Sequence, residues 1–163
     1  MISFDTGSHR FNLRAAAVIL QGEYVLLHRL DGDEFWCLPG GRVEPGEHAA
    51  QTIVREMKEE IGATVHAEKM LWIVENFFSY NGRPTHEIGL YFATHLAPGS
   101  PLLDVTTSHR GFEKDKGLTF SWFSRQRLTE IDVQPVFLRQ LFQEDHFELA
   151  HIVQRDSHFE ISS

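Results

Sequence analysis

The sequence predicts an α/β sandwich, and three features of its pattern support that fold class. Two β-rich runs, 14–20 and 23–29, precede an amphipathic helical segment at about 47–61. Further β-rich runs follow that segment, and a shorter apolar pattern beginning near residue 136 predicts a second helix. Strands on both sides of one helix, with another helix near the end, favour a layered α/β fold over a helical bundle.

The two early runs predict a β-hairpin. Both are rich in apolar and β-forming residues, and the dipeptide Gln21-Gly22 between them is typical of a tight turn. A third short run, 36–38, predicts a strand that stops at Pro39, because proline cannot donate to a sheet ladder. A glycine-rich loop then leads towards the helix.

The main helix is predicted from the spacing of its apolar residues. Five of them recur at i, i+3, i+4, i+7 and i+11, as expected for an amphipathic helix: Ala50, Ile53, Val54, Met57 and Ile61. The segment from Glu47 to Ile61 therefore forms the predicted helix, and Gly62 supplies the residue that ends it.

Three more runs after the helix, 64–66, 70–80 and 86–97, predict strands. Asn81-Gly82 is a turn dipeptide, so we expect the last two runs to form an antiparallel pair. The polar segment 98–118 predicts a flexible surface loop of the kind that often serves as a lid.

The end of the sequence is less regular. Residues 119–123 predict another strand. Apolar residues between Val136 and Phe142 predict a second amphipathic helix of about ten residues. The tail 147–161 fits either one further strand or a dimer contact, and its apolar residues make a homodimer plausible: Phe147, Leu149, Ile152, Val153 and Phe159.

Length and composition predict a single domain over residues 1–163. No stretch approaches the roughly 20 apolar residues that cross a bilayer, and no basic region leads into an apolar one near Met1, so we expect no membrane contact and a cytoplasmic location. Cys37 is the only cysteine, which excludes an internal disulfide. The net charge of −8 disfavours long nucleic acids, whereas a small anion held through bridging metal ions is compatible.

The chemistry is predicted by three glutamates in the helical segment. Glu56, Glu59 and Glu60 stand at i, i+3 and i+4, which places them on one helix face, predicted to lie away from the apolar stripe. Such like charges repel by a few tenths of a kcal/mol per pair unless cations neutralise them. Carboxylate oxygens select Mg²⁺ or Mn²⁺ and leave coordination positions for water and phosphate. A solvated acidic helix face is the alternative for the three residues alone.

Seven residues place this cluster in a longer motif, G-x5-E-x7-R-E-U-x-E-E-x-G-U, where U is a bulky aliphatic residue. They are Gly41, Glu47, Arg55, Glu56, Glu59, Glu60 and Gly62. Seven such fixed positions coincide by chance in about one start in 10⁸. The motif resembles the Nudix hydrolase signature, and Leu-Pro-Gly-Gly at 38–41 is similar to the approach to it. The last aliphatic position is the smaller Ala63, a departure that concerns local packing.

The resemblance implies an α/β/α Nudix sandwich with a mixed sheet and a loop–helix catalytic motif. It further implies a Mg²⁺-dependent hydrolase, with Mn²⁺ possible, that cleaves a nucleoside diphosphate linked to another moiety. The implied metal ligands are Glu56, Glu59, Glu60 and the backbone carbonyl of Gly40, whose other reading is a turn glycine. A catalytically silent nucleotide-sensing module with the same fold is the alternative, and the intact acidic set argues against it.

The resemblance also implies roles for neighbouring residues. Glu56 is the first candidate for the general base, and the predicted catalytic set is Glu56, Arg55 and Glu59. Arg55 is expected to fix a carboxylate rotamer, while Glu47, with Gly41 and Gly62, supports the motif; simple surface ion pairs are the alternative for Arg55 and Glu47.

Other candidates lie outside the signature. Glu113 is a second candidate base and Glu87 a possible added metal ligand, with an exposed acid as the alternative for each. Arg14 and Arg29 are expected to bind substrate phosphates, with structural salt bridges as the alternative. Five aromatic residues could stack on a base, although aromatics in strands are more often core: Phe35, Trp36, Phe77, Phe78 and Tyr80.

Overall fold

The structure is a computed structural model that describes residues 1–112 and 117–157. Its first sheet contains β1 (Ser3–Asp5), β2 (Arg10–Val18), β5 (Gly40–Arg42), β6 (Val65–Tyr80), β7 (Arg83–Leu96) and β10 (Ala150–Arg155). Its second sheet contains β3 (Leu20–Gln21), β4 (Tyr24–Leu30), β8 (His109–Arg110) and β9 (Leu118–Ser124). The helices are α1 (Ala49–Ile61) and α2 (Phe137–Leu141), with 3₁₀ turns at Pro101–Leu103 and Arg125–Glu130.

The first sheet is mixed, as the resemblance implies. Its strand order is β1-β2-β7-β6-β10, and β5 also pairs with β2. The β2–β7 and β6–β10 pairs are parallel, whereas the other pairs are antiparallel. The second sheet is antiparallel throughout, in the order β3-β4-β9-β8.

Two hydrophobic cores lie on opposite faces of the first sheet, because side chains alternate along each strand. Ala15 and Ala17 of β2 belong to the core that Ile53 of α1 completes. Ala16 and Val18 belong to the other core, which also contains Leu128, Leu138, Phe142 and the largest buried aromatic residue, Trp72. This layering confirms the predicted α/β/α sandwich.

The helix α1 begins at Ala49, two residues later than predicted. His48 is the N-cap, and its ring accepts a hydrogen bond from the Gln51 backbone N–H, while the Gln51 side chain accepts one from the His48 backbone N–H. Gly62 ends the helix in the left-handed conformation at φ 70°, as predicted. Glu47 therefore lies in the loop that precedes the helix.

The predicted hairpin is confirmed, but the first predicted strand is split. Leu20 pairs with Val25 and Gln21 with Tyr24, so the hairpin joins β3 and β4. The chain leaves the first sheet after Val18 and enters the second at Leu20, and the run 14–20 is therefore not one strand. Residues 36–38 form only isolated bridges, to Val133 and His28, instead of the predicted strand.

The long antiparallel pair of β6 and β7 confirms the predicted pairing, but the two predicted strands 64–66 and 70–80 form one strand, β6. The ladder runs from Val65↔Leu96 to Tyr80↔Arg83, and β7 begins three residues before the predicted start at His86. Asn81 and Gly82 both have positive φ, at 50° and 73°, as a tight hairpin turn requires.

The segment 98–118, predicted as a flexible surface loop, lies mostly at the surface where the structure describes it, but it also contains the 3₁₀ turn Pro101–Leu103 and the strand β8. Leu102 is buried in the 3₁₀ turn, and its carbonyl accepts a hydrogen bond from the Trp122 indole at 2.8 Å. His109 and Arg110 then pair with β9. The packing of Leu102 anchors the segment. Glu113 lies outside the described residues.

The second helix is shorter than predicted. The helix α2 has five residues instead of about ten, and a 3₁₀ turn at Arg125–Glu130 precedes it. In the tail, the strand alternative is confirmed for residues 150–155, which pair in parallel with β6. Phe159 lies outside the described residues. Among the residues that the structure describes, no helix is long and apolar enough to span a membrane.

Candidate metal and catalytic site

The three glutamates at the end of α1 lie in different environments. The side chain of Glu59 is 52% exposed, that of Glu56 is largely buried, and that of Glu60 is only 6% exposed. The prediction of one solvent-facing acidic surface is therefore wrong for Glu60. Since Glu60 follows Met57 by three residues, it lies on the buried side of the helix, whereas Val54 of the predicted apolar stripe is exposed.

Arg55 connects the acidic residues of this segment. Its Nη1 donates to Glu56 Oε1 at 2.7 Å and to Glu59 Oε2 at 3.2 Å. Its Nε and Nη2 donate to the two oxygens of Glu47 at 2.9 and 3.1 Å. The structure thus brings four of the five charged residues of the motif together, and Arg55 holds one oxygen of Glu56 and one of Glu59.

The loop before α1 fixes Glu47 in turn. Its Oε2 accepts hydrogen bonds from the Glu44 backbone N–H at 3.1 Å and from Thr52 Oγ1 at 2.7 Å. Hydrogen bonding from Arg55 lowers the pKa of Glu47 to about 2, against the opposing effect of burial. The same bonds raise the pKa of Arg55. This arrangement keeps both residues charged across the physiological pH range.

Replacing Glu47 with glutamine is expected to lower the free energy of unfolding at pH 7 by about 1–3 kcal/mol, because it removes charged hydrogen bonds to Arg55. A depressed carboxyl pKa adds stability above the unfolded value of 4.5, and this stability is lost as pH falls towards about 2. The variant should therefore show a shallower loss of stability in that window, measured by urea unfolding at a series of pH values.

The control for this experiment is Glu130→Gln, since Glu130 makes an exposed ion pair with Arg127 at 3.0 Å. We expect its effect to stay below about 1 kcal/mol. If the free energy of unfolding falls with decreasing pH as steeply in Glu47→Gln as in the wild type, the assigned role of Glu47 is contradicted.

Two glycines of β5 allow close approaches that a side chain would block. A Cβ at Gly41 would lie 2.2 Å from the Cδ of Glu56, so the Glu56 carboxylate packs directly on this strand. A Cβ at Gly40 would lie 2.1 Å from the Ala15 carbonyl oxygen, and Gly40 has φ 149°. Gly40 is thus a strand residue and not a turn residue, and there is no space for a side chain at this position. Its missing side chain admits the backbone of β2.

His28 faces Glu60 inside the protein. The Nδ1 of His28 lies 3.8 Å from Glu60 Oε2, and both side chains are buried. Burial, followed by the charge of Arg14, lowers the pKa of His28 to about 3, so the imidazole is neutral at pH 7. His28 is not among the site residues predicted from the sequence, although its position inside the β-rich run 23–29 is one where a buried histidine can be expected.

The two predicted phosphate-binding arginines differ in position. Arg14 Nη2 donates to the Leu38 carbonyl at 3.1 Å, and the guanidinium lies in the electrostatic field of Glu60 and Glu87. Burial opposes charge on Arg14, but the surrounding negative groups raise its pKa overall. Arg29 instead lies with its Cζ 4.5 Å from the centre of the Trp36 ring. The structure therefore brings Arg14 to the acidic set and places Arg29 on an aromatic ring.

Glu87 is buried, so its alternative reading as an exposed acid is wrong. It lies on β7 beside Asn12 of β2, whose Nδ2 is 3.5 Å from Glu87 Oε2. Burial raises the pKa of Glu87, while the charge of Arg14 acts in the opposite direction. Glu87 thus belongs to a polar group around Arg14.

The donor set at the end of α1 fits a hard divalent cation in its chemistry. In residues 1–112 and 117–157, no three His, Cys, Asp or Glu side chains already stand in the arrangement of a metal site. The carboxylates of Glu56 and Glu59 nevertheless converge on Arg55, which bonds only one oxygen of each. Oxygen ligands without sulfur or imidazole are those that Mg²⁺ and Mn²⁺ prefer.

The fold and this site define an α/β/α sandwich with an acidic cluster on the first helix. The model of the NUDIX domain family matches residues 10–144, which is most of the chain. The chain belongs to the Nudix family.

Relatives and solved structures agree with this placement. The Bacillus subtilis protein YjhB, provisionally named an ADP-ribose pyrophosphatase, is 30% identical over 58% of this chain, and the match spans only 46% of that protein. An RNA pyrophosphohydrolase of Campylobacter jejuni subsp. doylei is 30% identical over 60% of this chain and 70% of its own length. The crystal structure of a NUDIX hydrolase from Nitrosomonas europaea aligns with a TM-score of 0.61 at 18% identity, over 89% of this chain and 79% of that one. This structural likeness concerns the fold alone.

Proposed function

We propose that the chain is a Mg²⁺-dependent pyrophosphohydrolase that cleaves a nucleoside diphosphate linked to another moiety. The observation that carries the proposal is the convergence of Glu47, Glu56 and Glu59 on Arg55, with Glu60 one turn along the helix from Glu56. The names of the two relatives, an ADP-ribose pyrophosphatase and an RNA pyrophosphohydrolase, support phosphoanhydride hydrolysis as the class of reaction.

Glu56, Glu59, Glu60 and the backbone carbonyl of Gly40 would hold the metal, with Mn²⁺ as a possible substitute. A bound divalent cation would lower the pKa of a coordinated water and offset negative charge on the phosphate oxygens. The all-oxygen chemistry of this set supports the assignment.

The residues of the chain have distinct proposed roles in the reaction. Glu56 accepts the proton of the water that attacks phosphorus, and its contact with Gly41 limits where its carboxylate can lie. Arg55 holds the rotamers of Glu56 and Glu59 through its hydrogen bonds, and Glu47 fixes Arg55. Glu113, the other candidate base, lies outside the described residues and stays an alternative prediction.

The substrate is proposed to be a small nucleotide-type diphosphate. Arg14 would orient a phosphate group, because its forked guanidinium matches phosphate oxygens and lies in the same field as Glu60. The net charge of −8 supports a small anion over a long nucleic acid. A single domain over 1–163, a cytoplasmic location and a homodimer formed through the tail stay predictions.

The test is release of phosphorylated products from a panel of nucleotides, identified by mass. We expect hydrolysis of at least one nucleoside diphosphate conjugate with Mg²⁺, a loss of at least about 100-fold with EDTA, and recovery when Mg²⁺ or Mn²⁺ is restored. Circular dichroism with EDTA serves as the control for folding. Tight nucleotide binding without turnover across the panel would contradict hydrolysis and support the sensing module instead.

A further inference from the structure

Three polar residues form a row across the first sheet, on the face opposite α1. Asn12 of β2 is the register partner of Glu87 on β7, and Glu87 is the register partner of Asn76 on β6. Register partners project to the same face of a sheet. Glu87 is 8% exposed and Asn76 is 7% exposed, and Asn12 is also buried. The row therefore presents amide and carboxyl groups inside the protein.

Asn76 differs from the other two residues in its hydrogen bonds. Ser3 Oγ donates to Asn12 Oδ1 at 2.7 Å, and Asn12 Nδ2 lies 3.5 Å from Glu87 Oε2. Within the described parts of the chain, no hydrogen bond reaches the carboxamide of Asn76. The polar atoms of Asn76 are also not among the side-chain atoms that are sealed from solvent without a partner. The carboxamide can therefore bond to a water or a ligand that reaches it.

Arg14 lies on the same face of the first sheet as this row, and its Nη2 donates to the Leu38 carbonyl at 3.1 Å. It follows Asn12 by two residues on β2 and so projects to the same face. Its charge acts on both Glu87 and Glu60. A phosphate that contacts Arg14 therefore lies on the same face of the sheet as the polar row.

Aromatic side chains border the same end of the sheet. Tyr80 is four residues beyond Asn76 on β6 and shares its face. The Tyr80 hydroxyl donates to Asp33 Oδ1 at 3.1 Å, and the rings of Tyr80 and Phe35 have centroids 6.1 Å apart. These contacts bring the loop after β4 to the end of β6, about 13 Å along the strand from Asn76. The aromatic surface there suits a flat ring, because bases stack on such side chains.

We propose that Asn76 and Glu87 bind the nucleobase of the substrate and favour bases that carry an amino group. A carboxamide can pair with an amino group and a neighbouring ring nitrogen, and a carboxyl group accepts from an amino N–H. Adenine and cytosine present this pattern, whereas hypoxanthine and uracil replace the amino group with a carbonyl oxygen. This subsite rests on the proposed function and specifies the substrate class at the same site.

The test compares the full chain with Asn76→Leu by calorimetry in the presence of Mg²⁺. We expect the variant to bind adenosine monophosphate about tenfold more weakly or worse, in line with the loss of a paired base contact. Binding of ribose 5-phosphate, which has no base, should not change. Wild-type protein should also bind adenosine monophosphate more tightly than inosine monophosphate. In hydrolysis, KM should rise with little change in kcat.

The matched control is Thr94→Val, which likewise removes a buried polar group but from β7 instead of β6. Thr94 Oγ1 donates to the Phe92 carbonyl at 3.0 Å, and Thr94 lies seven residues, or about 23 Å, along the strand from Glu87. Nucleotide binding by this control should equal wild type. The melting temperature of Asn76→Leu should stay close to that of wild type, because the substitution breaks no hydrogen bond within the described parts of the chain. If Asn76→Leu does not fold, Asn76→Asp keeps the shape, loses the amide donor and should reduce the preference for adenosine over inosine monophosphate.

The outcomes separate this inference from the proposed function. Unchanged nucleotide affinity in the folded Asn76 variant, an equal loss with ribose 5-phosphate, or no nucleotide binding by wild type would overturn the subsite. Weaker nucleotide binding by the variant, in a protein that hydrolyses nothing in the panel, would support the subsite and contradict the hydrolase. Hydrolysis by the wild type, with a KM that is unchanged in Asn76→Leu, would support the hydrolase and contradict the subsite.

Discussion

Replacing Glu60 with glutamine is expected to lower kcat about a thousandfold while the fold persists. The proposed metal ligand at this position is a carboxylate, and stabilisation of phosphate charge by a bound cation contributes several kcal/mol, where each 1.4 kcal/mol corresponds to a factor of ten in rate. Glutamine keeps the size of the side chain but removes its negative charge. The measurement is steady-state hydrolysis of the best panel substrate over a range of Mg²⁺ concentrations.

The surroundings of Glu60 indicate that this variant should fold. The neighbouring His28 is neutral at pH 7, because burial lowers its pKa to about 3, so the substitution does not break a buried ion pair between these two residues. The control is Glu68→Gln, which removes an exposed carboxylate bonded to His95 and should leave kcat unchanged. Full activity in a folded Glu60→Gln protein would refute the metal role of Glu60.

The local elements could be predicted because their signals lie close together in the sequence. The spacing of Ile53 and Met57 follows the helical period, and Gly62 marks the end of the helix. The Asn81-Gly82 dipeptide fixes a hairpin between two long strands. The sandwich follows from the order of such elements, which is why the predicted fold class is confirmed.

The burial of Glu60 could not be predicted from the residue pattern of the helix. Its polar side chain made it part of a predicted solvent face, but the helix also buries that position beside His28. A buried acid next to a neutral histidine breaks the usual rule that polar residues face water. Exceptions to this rule are expected at functional sites, where the reaction requires a polar group in a buried position.

The polar row could not be predicted because its members come from distant parts of the chain. Asn12, Asn76 and Glu87 meet only through the parallel pairing of β2 with β7 and the antiparallel pairing of β6 with β7. Nothing in the sequence around Asn12 indicates which strand will lie beside it. A shift of one residue in either pairing would send the partner side chain to the opposite face.

Gly40→Ala is expected to destabilise the protein by about 3–5 kcal/mol, which for a domain of this size lowers the melting temperature by about 10 °C or more. The added Cβ would meet the Ala15 carbonyl oxygen at 2.1 Å and the Ala16 Cα at 2.8 Å, and both are backbone atoms of a buried strand. The positive φ of 149° adds strain for any residue with a side chain. Thermal unfolding followed by circular dichroism measures the effect.

Two other glycines separate the causes of this loss. Gly46 has φ 85° and nothing within 4 Å of an added Cβ, so Gly46→Ala should show only backbone strain, about 1 kcal/mol. Gly41→Ala would meet the carboxylate of Glu56, a flexible side chain, and should therefore unfold close to wild type yet hydrolyse substrate far more slowly. Equal stability of the Gly40 and Gly46 variants would show that β2 can move away from β5. Full activity in Gly41→Ala would show that hydrolysis tolerates displacement of the Glu56 carboxylate. This result would contradict the assignment of Glu56 as the general base.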